Sequence, residues 1–391
     1  MNILLANLTK MVNDSGGLAK VTSNFANEMI QRGHAVSVVY SDEREGDFYY
    51  PVHNSVPTYD LRHFDGKTIT YPWNYKVKRE IYRVFSKQKA RTINNDFTER
   101  YLLDNLQKVV NKVNPDIIIS FQPAASKMLL INLNIKIPII TMSHGDPEDY
   151  FHTYPKGEIP AVEKSSLNQV LLASFAKHIT DHLPEAKTIV IGNAVYQNPA
   201  QVDLSKEKDI YKIIFVGRLS KNHKRPHLLI EAFAKLAKKY PNWHVEFWGA
   251  EDGKLYYQEL KQKIKKYDLE HQVFLKGTTK EIIKELLNSD IYAIPSAYEG
   301  FSLAMTEAMQ IGLPPIGFKN IPSVSELIED GNTGILCDEN TNDLSEKLEI
   351  LMNNRDLRIK IGNAARKSME QYAENIIWDK WEYCMSSIVN R

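Results

Sequence analysis

Cysteine is scarce in this chain. The 391 residues include only two cysteines, Cys337 and Cys384, which lie far apart in the sequence. They show neither the ligand spacing of a zinc site nor the framework of a disulfide-stapled domain. This scarcity is compatible with the reducing environment of the cytosol.

Long hydrophobic runs are also missing. No stretch of about 18 consecutive apolar residues occurs, so no segment is predicted to span a bilayer. The first residues lack the basic region and the apolar run of a signal peptide. We therefore expect a cytoplasmic protein, or one that rests peripherally on the inner face of the membrane.

The chain carries almost no excess of charge. Its formal net charge is +1, so the molecule is not built to hold nucleic acid through bulk electrostatics, and no nucleic-acid partner is predicted. Apolar residues make up 43% and charged residues 25%, a balance typical of a folded globular protein. The length suits two domains better than one core.

Short apolar runs alternate with segments of helical period. Runs without clean polar alternation are typical of parallel strands that helices cover on both faces. A first series comprises residues 2–6, 35–40, 116–120 and 137–142, and a second comprises 212–217, 243–248, 272–276, 291–295 and 315–318. Repeated strand–helix units of this kind predict an α/β fold with doubly wound parallel sheets.

A polar and charged connection near residues 185–211 separates the two series. It predicts an N-terminal domain over residues 1–190 and a C-terminal domain over 191–375. The last segment, residues 376–391, carries apolar and aromatic residues that include Trp378 and Trp381. We expect a terminal helix that can pack across a domain boundary.

A predicted strand ends at Pro295, and a loop with Glu299 and Gly300 follows it. A helix is predicted to begin near residues 301–302, which places free backbone N–H groups where an anionic ligand is favoured. Glycine at position 300 permits close approach of a ligand. Glu307 lies eight residues after Glu299, so the two carboxylates could contact different ends of one polyhydroxylated ligand. The alternative is that Glu307 is a solvated helix residue and that Glu299 is an ordinary acidic residue of a loop.

Glu299 and Glu307 have an E-x7-E spacing, and a Gly-Leu-Pro sequence follows at Gly312. In these residues the chain resembles glycosyltransferase family 4, retaining enzymes of the GT-B fold with two Rossmann-like domains that face a cleft. The resemblance implies that Glu307 binds the nucleotide ribose and that Glu299 lies near the donor sugar as a catalytic residue. It also implies that the donor diphosphate binds to the backbone amides of the three residues after Gly300, namely Phe301, Ser302 and Leu303.

Residues 215–233, which include a basic loop between a predicted strand and a predicted helix, resemble the first strand–loop–helix unit of the family's donor domain. A departing diphosphate gains negative charge, which fixed cations can stabilise. The resemblance assigns this role to Arg218 and Lys224. Lys221 and Arg225 remain alternatives for the lysine, because the loop is longer than the common pattern. A solvated basic loop is the structural alternative.

No Asp-x-Asp pair occurs, so the usual carboxylate clamp for a metal-bound diphosphate is missing. We therefore expect no metal and no cofactor apart from the nucleotide sugar, which is a co-substrate.

Four weaker matches complete the implied site. Gly16 and Gly17 resemble a Gly-Gly loop that closes over the donor phosphates, although a plain tight turn would look the same. Gly249 resembles a glycine of a turn near the donor. His144 matches a histidine that contacts the transferred sugar, although a histidine at the end of a strand is common.

Residues 71–91 form a basic and aromatic stretch. From Lys76 to Arg91 there are seven cations and one acid, with aromatic residues interleaved from Trp73 onward. Such a segment could rest on an anionic membrane or hold a lipid-diphosphate acceptor. A solvated helix face is the alternative.

The resemblance implies retaining, metal-independent transfer of a hexosyl unit from a nucleoside diphosphate sugar, with UDP expected, to a hydroxyl of a glycan, lipid-linked or protein acceptor. The N-terminal domain would bind the acceptor, and the terminal helix would cross back onto it. Either Glu299 attacks the anomeric carbon, or the acceptor attacks on the face that the diphosphate leaves. The rivals are a nucleotide-sugar epimerase or phosphorylase on this fold and a catalytically silent nucleotide-sugar-binding module.

Overall fold

A computed structural model describes residues 1–14 and 16–390, and the chain folds as two units. The first unit comprises residues 1–192 and 378–391. Its strands are β1 (Asn2–Asn7), β2 (Ala35–Tyr40), β3 (Thr58–Asp60), β4 (His63–Phe64), β5 (Lys67–Thr68), β6 (Ile117–Ser120), β7 (Ile139–Met142), β8 (Leu167–Val170) and β9 (Thr188–Val190). Seven of them form a parallel sheet in the order β3-β2-β1-β6-β7-β8-β9, while β4 and β5 pair as a separate antiparallel ribbon.

The helices of the first unit are α1 (Gly17–Gln31), α2 (Trp73–Phe85), α3 (Lys87–Tyr101), α4 (Leu103–Val113), α5 (Pro123–Lys127), α6 (Glu148–His152), α7 (Ile159–Lys164) and α8 (Ala173–His182). A π-helical turn spans Met128–Asn132 and a 3₁₀ turn spans Lys156–Glu158. In α1, the buried residues Ala19, Thr22, Ala26 and Met29 recur every three or four positions, so one helical face packs into the core.

The second unit comprises residues 193–377. Its strands are β10 (Tyr211–Val216), β11 (Trp243–Trp248), β12 (Val273–Gly277), β13 (Ile291–Ile294), β14 (Pro315–Phe318) and β15 (Ile335–Cys337), and they form a parallel sheet in the order β12-β11-β10-β13-β14-β15. Its helices are α9 (Pro226–Ala234), α10 (Lys254–Lys266), α11 (Ile282–Leu287), α12 (Leu303–Gln310), α13 (Pro322–Leu327), α14 (Thr341–Asn353) and α15 (Arg355–Ser368), followed by a 3₁₀ turn at Met369–Tyr372.

The last helix, α16 (Glu374–Val389), belongs to the first unit from residue 378 onward. Phe25 of α1 makes edge contacts with Trp378 at 5.4 Å and Trp381 at 4.9 Å between ring centroids. The guanidinium of Arg32 also lies 2.7 Å from the Asp379 carboxylate. Aromatic packing and an ion pair thus hold this segment against α1.

The predicted fold class, two doubly wound parallel-sheet domains, is confirmed. In each sheet the strand order reverses beside the first strand of the unit, at β1 and at β10. Open α/β sheets favour ligand binding at such switch points, outside the carboxyl ends of the strands. No helix in the described part of the chain has the length and apolar character that a membrane crossing requires.

Candidate active site

The loop between β13 and α12 carries Glu299 and three of the predicted donor residues, Gly300, Phe301 and Ser302. The helix begins at Leu303, slightly later than predicted, because Ser302 adopts a left-handed conformation with φ of 47°. Among the described residues, no hydrogen bond occupies the backbone N–H groups of residues 300–303. The Ser302 hydroxyl is also buried without a hydrogen-bond partner there. Several donors are therefore available to an anion at this helix start.

Phe301 anchors the same loop through its side chain. The ring is 3% exposed and makes an edge contact with Tyr372, with the ring centroids 5.0 Å apart. Because the ring faces the core, the backbone of Phe301 stays at the start of the helix.

Lys224 and Glu299 form a close ion pair. Lys224 Nζ lies 2.5 Å from Glu299 Oε1, and the side chains are only 17% and 5% exposed. The backbone N–H of Lys224 donates to the Ser220 hydroxyl at 3.0 Å, and the carbonyl of Glu299 accepts from the Ser323 hydroxyl at 3.0 Å. Both ends of the pair are thus held by the fold.

Arg218 lies two residues after β10, with an exposed side chain. Nearby, the N–H of Ala297 donates to the His223 carbonyl at 2.7 Å, which ties the basic loop to the loop after β13. Burial lowers the pKa of His223, the positive charges of Lys224 and Arg218 lower it further, and Glu299 raises it. All three charged groups therefore lie within electrostatic reach of one imidazole.

The three cations considered for the diphosphate differ in their ion-pair partners. Lys221 Nζ lies 2.8 Å from Glu259, and both side chains are exposed. Of Lys221, Lys224 and Arg225, only Lys224 forms an ion pair with Glu299 among the described residues.

Arg225 holds the backbone of the loop after β13. Its guanidinium donates to the carbonyls of Pro295 at 3.1 Å and Ser296 at 2.8 Å, and it pairs with Glu339. The residue itself is left-handed, with φ of 47°, and precedes α9. Its contacts are those of a structural residue.

Glu307 is half-buried within α12. Tyr292 of β13 lies close to this carboxylate and to Glu299. Burial raises the pKa of Tyr292 well above its usual value, and the charges of Glu299 and Glu307 raise it further. The carboxylates of Glu299 and Glu307 therefore both raise the pKa of the same buried phenol. Sequence reasoning missed Tyr292, because it is one of several apolar residues in a buried strand.

Gly249 follows β11 and lies against the loop after β10. A Cβ atom at Gly249 would lie 2.0 Å from the carbonyl oxygen of Gly217, and its φ is 151°. The N–H of Gly217 in turn donates to the Trp248 carbonyl at 2.9 Å. The glycine is required here because two backbones approach closely beside the basic loop.

Gly16 and Gly17 stand at the start of α1 in the first unit. The N–H of Gly16 donates to the Asp14 carboxylate at 3.2 Å, and a Cβ atom at Gly17 would meet nothing within 4 Å. The turn is therefore open at Gly17. Ser15, which belongs to the same predicted loop, lies outside the described residues.

His144 follows β7 and stacks on Phe121, with ring centroids 5.4 Å apart and an interplanar angle of 13°. Its Nε2 is buried without a hydrogen-bond partner among the described residues. Burial lowers the pKa of His144 to about 4, so the ring is neutral near pH 7. A buried imidazole nitrogen without a partner is the kind of group that a ligand satisfies.

A cavity of about 690 Å³ lies within the first unit. Residues that follow β1, β2 and β6 line it, so it lies at the carboxyl ends of these strands. The lining includes Lys10, Arg62, Tyr71, Arg79, Phe97 and Gln122. Only Tyr71 and Arg79 of its walls belong to the predicted basic and aromatic stretch, and the rest come from separate loops and helices that the sequence does not connect.

Arg62 is the most buried cation of the cavity, with a side chain 12% exposed. Its Nε donates to Ser41 at 3.2 Å, and its guanidinium lies 5.0 Å from the centre of the Phe97 ring. The nearby Asp42 carboxylate is instead occupied by the backbone N–H groups of Met11 and Val12. The cavity therefore offers aromatic rings and cations to a ligand.

The basic stretch of residues 71–91 contains α2 and the start of α3. No residue of α2 is buried, and Trp73, Val84 and Phe85 are each at least 78% exposed. Arg79 lies over the Tyr71 ring at 5.2 Å and lines the cavity. The helix thus combines an exposed apolar surface with a cation directed to the cavity.

Two family models match consecutive parts of the chain. Residues 15–195 match the model described as Glycosyltransferase Family 4, and residues 197–368 match the model described as Glycosyl transferases group 1. Each match covers less than half of the chain. Together they support a glycosyltransferase of the family 4 and group 1 type.

Individual relatives of the chain are also named as glycosyltransferases. The chain is 24% identical over 387 residues to an uncharacterized glycosyltransferase of Haemophilus influenzae, with 95% of this chain and 96% of the relative covered. It is 22% identical over 390 residues, 96% of this chain and 97% of the relative, to a Campylobacter jejuni enzyme. That enzyme is named as the α-1,4-N-acetyl-D-galactosaminyltransferase of GalNAc-α-(1→4)-GalNAc-α-(1→3)-diNAcBac-PP-undecaprenol.

A solved structure supports the fold. A single-residue mutant of S. aureus TarM, in complex with fondaparinux, α-GlcNAc-glycerol and UDP, aligns with a TM-score of 0.75 and 17% identity over 100% of both chains. The likeness confirms the GT-B fold class predicted from the sequence.

Proposed function

We propose that this chain is a retaining glycosyltransferase that moves a hexosyl unit from a UDP-sugar to a hydroxyl of an acceptor in cell-surface glycoconjugate assembly. The observation that carries the proposal is the Lys224–Glu299 contact of 2.5 Å beside the unoccupied backbone N–H groups of residues 300–303. Cations and oriented N–H groups are what a departing diphosphate requires.

In this proposal, the diphosphate binds at the start of α12. The N–H groups of Phe301, Ser302 and Leu303 donate to its oxygens, and Arg218 and Lys224 stabilise the charge that develops as the glycosidic bond breaks. We propose transfer without a metal, because fixed cations supply this charge and the sequence has no Asp-x-Asp clamp.

The family resemblance supplies the remaining donor contacts of the proposal. Glu307 accepts hydrogen bonds from the ribose hydroxyls, and Gly249 lines the site. Gly16 and Gly17 close over the phosphates, and the unpartnered Nε2 of His144 contacts the transferred sugar. A neutral imidazole can donate or accept a hydrogen bond there.

The geometry of Glu299 favours same-face attack by the acceptor over a covalent intermediate. One carboxylate oxygen is held by the Lys224 ammonium, which reduces its nucleophilicity. In the same-face route, the acceptor oxygen bonds to the anomeric carbon as the diphosphate leaves, and a diphosphate oxygen takes the acceptor proton. Glu299 then acts by holding Lys224 and by its charge.

The cavity of the first unit is the proposed acceptor site. Aromatic rings such as Tyr71 pack against sugars, and the Arg62 and Arg79 side chains suit phosphate groups. The Campylobacter jejuni relative is named for an undecaprenol-linked acceptor. We therefore favour a lipid-linked acceptor and place α2 on the membrane surface.

Membrane association has a direct test. Trp73→Ala with Phe85→Ala should weaken sedimentation with anionic vesicles, since both side chains are exposed on a basic helix. Leu255→Ala is a matched control, because Leu255 is 90% exposed in the second unit. Equal sedimentation of all variants would contradict the assignment.

The function itself is tested by screening nucleotide sugars for thermal stabilisation and then for hydrolysis without acceptor. We expect one UDP-sugar to stabilise the protein and to be hydrolysed slowly, and Arg218→Ala and Lys224→Ala to lose the hydrolysis. Conversion of the donor to an epimer without acceptor would indicate an epimerase instead. Binding of a donor without any turnover would indicate a silent binding module.

A further inference from the structure

Two histidines and a glutamate meet on the surface of the first unit. Glu148 and His152 occupy positions i and i+4 of α6, and His182 is the last residue of α8. Glu148 Oε1 lies 2.8 Å from His152 Nε2 and 3.1 Å from His182 Nε2. The three ligand atoms all lie within 4.8 Å of one another.

The local sequence explains why these side chains converge. Residues four apart lie on one helical face, so Glu148 and His152 point the same way. One oxygen of Asp146 accepts from the Glu148 N–H at 2.9 Å and lies 2.6 Å from His178 Nδ1, which joins the start of α6 to α8.

The ring of His182 is oriented by a stacking contact. Phe151 lies over it with centroids 3.9 Å apart and an interplanar angle of 23°. Packing of this kind fixes a side chain before a ligand arrives. The same contact leaves the Nε2 edge of the ring directed to Glu148.

The three ligand atoms lie near the spacing of a tetrahedral metal site. Zinc binds imidazole nitrogen and carboxylate oxygen at about 2.0–2.2 Å, which places neighbouring ligand atoms roughly 3.3–3.5 Å apart. The observed spacings of 2.8 Å and 3.1 Å, with none above 4.8 Å, require only small side-chain shifts. We propose that Glu148, His152 and His182 bind a zinc-class ion, with the fourth position open to water.

The donor set selects the class of ion. Two imidazoles and one carboxylate suit Zn²⁺, whereas Mg²⁺ and Ca²⁺ prefer oxygen ligands throughout. The histidines bind through neutral Nε2 atoms, so binding releases any proton that these atoms carry to solvent. The competing interpretation is a surface ion-pair cluster, which contributes little to stability.

The site is independent of the proposed transfer reaction. Its ligands are not among the residues proposed to bind the donor, and they are not among the residues that line the cavity of the first unit. Because α6 begins four residues after His144, a bound ion links the helix that follows this histidine to α8. The proposed metal therefore holds the local fold and does not take part in leaving-group chemistry.

The test uses the full chain after removal of metal with a chelator. Calorimetry with zinc chloride should show one ion bound per chain. The midpoint temperature of thermal unfolding should rise by about 5–10 °C when the zinc concentration is a hundredfold above the dissociation constant. Magnesium chloride should leave the midpoint unchanged. His152→Ala and His182→Ala should each weaken zinc binding by at least about tenfold.

Controls separate this site from adventitious binding and from loss of structure. His271→Ala removes an exposed histidine of the second unit and should bind zinc like the wild type. Glu148→Gln preserves side-chain volume and should still weaken binding. No heat with zinc, or wild-type affinity in the His152→Ala, His182→Ala double variant, would overturn the proposal. Donor hydrolysis in the presence of chelator reports on the transfer reaction separately.

Discussion

Breaking the Lys224–Glu299 pair perturbs both stability and turnover. Nζ and Oε1 are 2.5 Å apart, and the two side chains are 17% and 5% exposed. Removing one partner of a buried pair leaves the other charge uncompensated, which costs about 3–5 kcal/mol. We expect Lys224→Met and Glu299→Gln each to lower the free energy of unfolding, and the double variant to lose less than the sum of the two.

Turnover separates the two roles that Glu299 could have. If Glu299 acts by holding Lys224 against the departing diphosphate, either substitution removes the same stabilisation of the transition state. Each single variant should then lose about 10²–10³ in turnover, the usual effect of removing one group aimed at developing charge. The double variant should lose hardly more, because residues that act as a unit are not additive.

The assay is steady-state donor hydrolysis and transfer at saturating donor, beside urea unfolding of each variant. Lys221→Met is the matched control, because this lysine lies on the same loop but contacts Glu259. Multiplicative losses in the double variant would refute the positioning role and favour a covalent intermediate on Glu299. Near-normal turnover of Lys224→Met would remove its leaving-group role.

Three further predictions concern single residues. Arg218→Ala should lower turnover by about 10²–10³ with an unchanged melting midpoint, because its exposed charge acts only in the transition state; a parallel loss of stability would contradict this. Glu307→Ala should weaken UDP binding about 10–100-fold by calorimetry, since hydrogen bonds to charged groups contribute about 1.5–3 kcal/mol; unchanged affinity would exclude the ribose contact. His144 has a pKa of about 4 when folded and 6.5 ordinarily, so the unfolded chain binds more protons in this window and stability falls as pH decreases through it, by about 3 kcal/mol in full. In urea unfolding from pH 7 to 4, His144→Phe should flatten this slope, and an unaltered slope would disprove the assignment.

The strands of four or more residues could be predicted from their apolar runs, with the exception of β8. β6 and β13 are buried at every position, so their apolar runs identify them. β8 was missed because Asn168 and Gln169 occupy its buried centre. Their side chains donate to the carbonyls of Val162 at 2.9 Å and Ile191 at 2.5 Å, partners that only the folded chain supplies.

The residues of the candidate site also differ in how far the sequence could predict them. The succession of a strand, a loop with Glu299 and a helix with Glu307 could be predicted, because the three follow one another directly in the sequence. Which of three neighbouring cations pairs with Glu299 could not be predicted, because it depends on tertiary contacts. Lys221 is held by Glu259, which lies on α10, so its assignment required the tertiary structure.

The two units show how one topology can present two kinds of binding surface. Each sheet reverses its strand order beside its first strand, so each has a crevice at the carboxyl ends of its strands. In the second unit, short loops bring N–H groups, Arg218 and Lys224 to this edge, a set that suits a compact anion. In the first unit, the long segment between β2 and β6 adds α2, α3 and α4 and encloses about 690 Å³ with rings such as Tyr71 and Phe97. Because the sheets are alike, loop length and side-chain charge separate an edge with a compact set of N–H donors and cations from an edge with a larger aromatic and basic cavity.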